Sequence, residues 1–125
     1  MGYQEVNNSY LKNQVMGASP IRLVIMLYEG AIRSMKIAKA AIEKQDVVQA
    51  HTQLVKAQKI IAELKSSVNP EVDVTISQNL INLYDFCNEQ LFQANLQKDS
   101  SLIDSAINTM TELLDSWKQL EQKKD

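Results

Sequence analysis

Gly17-Ala18-Ser19-Pro20-Ile21-Arg22-Leu23-Val24-Ile25-Met26-Leu27-Tyr28-Glu29-Gly30-Ala31-Ile32 decides the fold. Ser19 is a good N-cap and Pro20 suits the first helical position, so the stretch predicts a helix from residue 19 or 20. At about 100° per residue its apolar side chains, from Met26 round to Ile25, cover roughly 260° of the circumference. Arg22, Glu29 and Arg33 leave only a narrow polar wedge. A helix packed on one core needs an apolar stripe of about 100° or a little more. The surplus must be covered by other segments of the chain or by a partner.

The rest of the composition suits helices. Three glycines and two prolines stand in 125 residues, and Glu71 to Asp125 contains neither type. That favours long helices over turn-rich β structure, in one domain large enough to bury a core. A net charge of −2 with interspersed signs argues against nucleic-acid or anionic-membrane partners. The longest apolar run, Leu23 to Tyr28, is too short to span a membrane. Met1-Gly2-Tyr3-Gln4-Glu5 lacks the layout of a signal peptide, and Cys87 has no second cysteine to pair with. Both features predict a reducing, cytoplasmic setting.

Apolar steps alternating between three and four recur in four segments. They run through Val24, Tyr28, Ala31, Met35, Ala38 and Ile42, then through Val47, Ala50, Leu54, Ala57, Ile61, Leu64 and Val68. A less regular third segment runs through Ile76, Leu80, Leu83, Cys87, Leu91 and Ala94. The fourth reads Ile103, Ala106, Met110, Leu113, Trp117 and Leu120. Breaks fall at Gln45-Asp46, at Ser66 to Pro70 and at Lys98 to Ser101, where Asp46 and either Asp99 or a serine are candidate caps. Short breaks make neighbours antiparallel, which predicts an all-α, up-down-up-down four-helix bundle. The expected helices span about 19–45, 46–67, 73–97 and 100–122. Residues 1–18 form a short N-terminal flap in this reading, with Tyr3, Val6 and Tyr10 at helical spacing. Permanent packing on the bundle and removable cover of a groove both remain open for it.

Chemistry is sparse. His51 has no evident acid or nucleophile partner, and Cys87 sits on an apolar stripe as a small hydrophobe. These two soft ligands do not make a zinc site, and neither a di-iron motif nor a phosphate loop occurs. No metal or cofactor is expected. Trp117 reads as a core anchor, and Ile81, Tyr84, Phe86 and Phe92 give the third segment more apolar surface than one seam requires. Gly30 interrupts a good helix at a cost of about 1 kcal/mol relative to alanine. Close packing of a neighbouring helix or of the N-terminal segment, or a partner's side chain, would explain it. Lys36, Lys39, Lys44, Lys56, Lys59 and Lys65 read as solvated faces.

The block Tyr10, Val15, Ala18-Ser19-Pro20, Leu23, Met26-Leu27-Tyr28, Gly30-Ala31-Ile32 resembles the flagellar secretion chaperone (FliS) family. Gly17 stands where the family often has threonine and Glu29 where aspartate is common. The resemblance implies a non-enzymatic cytoplasmic bundle that binds the C-terminal segment of newly made flagellin, prevents premature polymerisation and delivers it to the export gate of the flagellar type III apparatus. It implies a free monomer that binds cargo one to one, without ATP, and leaves an anti-sigma factor as a further candidate partner. Carried onto this chain, Tyr10 and Val15 become flap or rim residues, and Ile21, Leu23, Ile25, Met26, Leu27 and Tyr28 become groove surface. Val24, Ala31 and Met35 fall nearer the bundle axis. The competing reading is a self-associating helical adaptor that uses the surplus apolar face as a homodimer interface.

Overall fold

A computed structural model describes residues 19–123. They form α1 (Pro20–Glu43), α2 (Val47–Ser66), α3 (Val74–Gln97) and α4 (Ser101–Gln122). Each helix packs on its chain neighbours and α4 closes back on α1, giving the antiparallel four-helix ring.

Local chemistry sets the ends. The Ser19 hydroxyl accepts a hydrogen bond from the Arg22 N–H at 3.2 Å, with Pro20 at the first helical position. α1 stops where Gln45 turns left-handed (φ 63°). The Gln45 N–H then bonds the Ile42 carbonyl at 3.0 Å and the Asp46 N–H bonds that of Ala41 at 2.8 Å, a full Schellman arrangement. Asp46 then caps α2 through Gln49 N–H, and Asp73 caps α3 through Ile76 N–H, both at 3.1 Å. At α4, Asp99 rather than a serine supplies the cap. Its carboxylate accepts from Ser101 N–H at 2.9 Å and Ser101 O–H at 2.6 Å, which holds the acid below its ordinary pKa.

The core is built from large side chains set among alanines. Ile25, Tyr28, Met35, Leu54, Ile61, Leu91, Ile103 and Met110 are sealed from solvent, as are Ala31, Ala38, Ala50, Ala57, Ala94 and Ala106. Small residues in every helix let the backbones approach closely. The predicted seams hold at their centres and slip at their edges. In α1 the buried face also takes in Ile21, Ile25 and Ile32, while Val24 and Ile42 are only half-buried. In α3 the seam runs through Ser77, Tyr84, Cys87, Leu91 and Ala94, leaving Ile76 and Leu83 exposed. Trp117 packs against the edge of the core rather than within it.

Candidate functional site

Arg22 and Glu29 of the polar wedge meet α4. Arg22 grips Glu121 through two hydrogen bonds, the Nε one at 2.8 Å. Lys118 lies 3.8 Å from Glu29, and Lys39 reaches Asp104 at 2.8 Å. These contacts turn one side of α1 toward α4. Lys39, read above as solvated, is thus an interhelical partner, and so is Lys65, which pairs with Asp85 at 2.7 Å.

With that side fixed, the apolar surplus of α1 has two destinations. Ile21, Ile25 and Tyr28 follow steps of four and three that point at the bundle axis, and the latter two are fully buried. They are core, which corrects the expectation that they are groove surface. Leu23, Met26 and Leu27 lie further round and remain half-buried, with Leu27 also packing on the core. Tyr10 and Val15 lie outside the described residues.

Gly30 continues this half-buried strip toward α2. A Cβ at Gly30 would meet, among the described residues, only Ile60 Cδ1 at 3.6 Å, an ordinary contact. The close-neighbour explanation for the glycine therefore finds no support in α2. Leu23, Met26, Leu27 and Gly30 make an apolar strip on α1, bordered at Gly30 by Ile60 of α2. Ile60 escaped the sequence reading because it is one of several aliphatic residues on α2, and only the α1–α2 register shows that it faces Gly30.

Beneath this edge the Tyr28 and Tyr84 hydroxyls meet at 2.5 Å. Their rings are tilted at a centroid distance of 6.3 Å, and Trp117 covers Tyr28 at 6.4 Å. Burial raises the pKa of both phenols. Burial likewise pushes the Cys87 thiol up to about 11, so it is a protonated small hydrophobe and not a nucleophile. His51 is exposed and bonds the Asn95 amide at 2.9 Å through Nδ1, beside a shallow depression lined by Phe92, Leu96 and Lys98. Among the described residues no cluster of three His, Cys, Asp or Glu is placed to hold a metal. No described helix is long and apolar enough to cross a membrane. What the site offers is apolar surface shaped by helix edges.

Residues 2–124 match the family described as flagellar protein FliS. The flagellar secretion chaperone FliS of Bacillus subtilis (strain 168) is 33% identical over 119 residues, spanning 95% of this chain and 88% of that protein. Its counterpart from Salmonella typhimurium is 35% identical over 114 residues, spanning 90% of this chain and 84% of that one. A solved structure described as a flagellar chaperone from bacteria shares the fold with a TM-score of 0.79. It is 22% identical and covers 96% of this chain and 98% of its own.

Proposed function

The chain belongs to the FliS family of flagellar secretion chaperones, and from that premise we propose that it binds the C-terminal segment of flagellin. The half-buried strip Leu23, Met26, Leu27 and Gly30 carries this reading: it is apolar surface beyond what the bundle consumes, at a glycine the described residues do not require. A filament subunit assembles through apolar helical surface, which must be covered before export. A complementary helix edge covers it without any chemical step, so no catalysis and no cofactor is involved. The complex forms in the cytoplasm at one to one and passes to the flagellar type III export gate. Tyr10 and Val15 belong to a flap that yields to the cargo, while Ile21, Ile25 and Tyr28 support the edge from beneath.

Ordering a disordered segment costs several kcal/mol, so useful affinity needs a large buried apolar area. Calorimetric titration with the C-terminal flagellin segment tests this. Saturable one-to-one binding with a clearly negative heat-capacity change is expected. No binding at about 50 μM would remove the reading. Self-association in sedimentation would then bring forward the homodimeric adaptor.

A further inference from the structure

The formal charge of −2 hides a division between the two halves of the bundle. Residues 20–66 carry eight Lys or Arg against four Asp or Glu, whereas residues 67–122 carry two against nine. No Lys, Arg or His occurs from Ser66 to Gln97. Of the two cations in the acidic half, Lys118 leans to Glu29 of α1 and Lys98 folds back onto the Asn95 carbonyl at 3.0 Å. Asp85, Asp104 and Glu121 pair with Lys65, Lys39 and Arg22, and the remaining Glu71, Asp73, Glu89, Asp99, Glu112 and Asp115 leave the α3–α4 half anionic.

That same surface holds exposed apolar side chains. Ile76, Leu83 and Phe86 of α3 are 59%, 37% and 44% exposed, and Leu120 of α4 is 47% exposed. The register between the helices is set by Gln90 Nε2 donating to Ser105 Oγ at 3.0 Å and by Cys87 Sγ lying 4.0 Å from the Ala106 carbonyl oxygen. Counting outward from those pairs along antiparallel helices sets Phe86 and Leu83 beside the stretch from Ile107 to Leu113, and Ile76 near the end of α4 that bears Leu120. Ser105, Thr109 and Ser116 are the small residues along α4's facing edge. Large side chains on one helix opposite small ones on the other make a groove and not a ridge. From Ile76 to Gln90 it runs about 21 Å, the length of a helix of about 14 residues. Glu89 of α3 and Glu112 and Asp115 of α4 are exposed.

We propose that this α3–α4 groove is a docking site for a cationic amphipathic helix of a second protein. An apolar face would cover Phe86 and its neighbours while flanking lysines or arginines meet the carboxylates. An acidic helix would strand those carboxylates against like charge. In a four-helix ring the α3–α4 edge is opposite the α1–α2 edge, so this helix and the cargo occupy different sides at once. The inference is independent of the cargo reading.

The test uses the full chain and an amphipathic leucine–lysine peptide of about 14 residues, with a scrambled peptide of identical composition as control. Affinity is read by calorimetry at near-physiological salt and the site by amide chemical shifts. Saturable binding is expected, with shifts at Phe86, Gln90, Ser105 and Leu113. The scrambled peptide and the Phe86→Ala protein should each bind about tenfold more weakly. The triple variant Glu89→Gln, Glu112→Gln, Asp115→Asn should weaken binding and flatten its salt dependence. Phe86 is exposed, so Phe86→Ala is expected to melt like the parent and to keep its affinity for the flagellin segment. Equal binding of both peptides, no binding, or shifts confined to α1 and α2 would overturn the proposal. Loss of flagellin binding in Phe86→Ala would also overturn it, by making the groove part of the cargo surface, and would leave the cargo reading intact.

Discussion

The hydroxyls of Tyr28 and Tyr84 meet at 2.5 Å in the interior, joining α1 to α3, two helices that face each other across the bundle. Removing one partner strands the other hydroxyl in an apolar site, at a cost of about 1–3 kcal/mol. Tyr84→Phe should therefore destabilise by about that amount, and Tyr28→Phe with Tyr84→Phe by less than the sum of the two single changes. Chemical denaturation of the three variants completes the cycle; strict additivity would mean that the hydroxyls do not interact.

The same burial gives the fold an alkaline limit. Both phenols and the Cys87 thiol have raised pKa values, so above their unfolded values the native state holds more protons than the unfolded chain. Stability from these groups is fully present below about pH 8.5. It falls as pH rises, first through Cys87 between its ordinary value of 9.0 and about 11, then through the tyrosines above 10. Melting temperature should drop from about pH 9 upward, and less steeply in Cys87→Ala. An unchanged melting temperature at pH 10.5 would contradict it.

Gly30→Ala should raise stability by about 0.5–1 kcal/mol, since the added methyl makes an ordinary contact with Ile60 and helix propensity improves. If the bare backbone receives a cargo side chain, the same variant should bind the flagellin segment more weakly. A variant that melts lower would instead point to a close neighbour at that position.

Met26 is half-buried at the apolar edge, so Met26→Asp should keep the helical spectrum while weakening cargo binding about tenfold or more. Leu27 also packs on the core, and Leu27→Asp is expected to lower the melting temperature as well as the affinity. Full affinity in a folded Met26→Asp protein would exclude this edge as cargo surface.

Arg22 ties the first turn of α1 to the last turn of α4 through Glu121. Exposed ion pairs contribute little to global stability, so Arg22→Ala should leave the main melting transition nearly unchanged. Its effect should appear as faster amide exchange from residue 118 to 122, where the last turn loses its anchor. No change in exchange there would show that α4's end is held by Trp117 packing alone.

Much of this bundle is legible in the chain. Ser19-Pro20, Asp46 and Asp99 mark helix starts because their side chains act within three residues of themselves, a distance that sequence reports directly. The phase of α1 is not legible. Steps of three and four fit the set from Val24 to Ile42 and equally the set Ile21, Ile25, Tyr28, Ile32, Met35. Only Arg22, Glu29 and Lys39 finding Glu121, Lys118 and Asp104 decides which side faces outward. Tyr84 reads in the sequence as part of the third segment's apolar surplus, and only the Tyr28 hydroxyl opposite it accounts for its place in the core. The surplus of apolar surface on α1 is thus legible, and its division between core and edge requires partners far away in sequence.

The alanines at the helix contacts have a mechanical corollary. Ala31, Ala38, Ala50, Ala57, Ala94 and Ala106 present almost no rotamers, so the shaft they line has few alternative packings to offer a guest. A flexible chain meeting such a body bends to suit it, as wire takes the form of a mandrel. For the cargo segment proposed above, the ridges of the bundle would dictate the guest's shape and the work of adaptation would fall on the cargo.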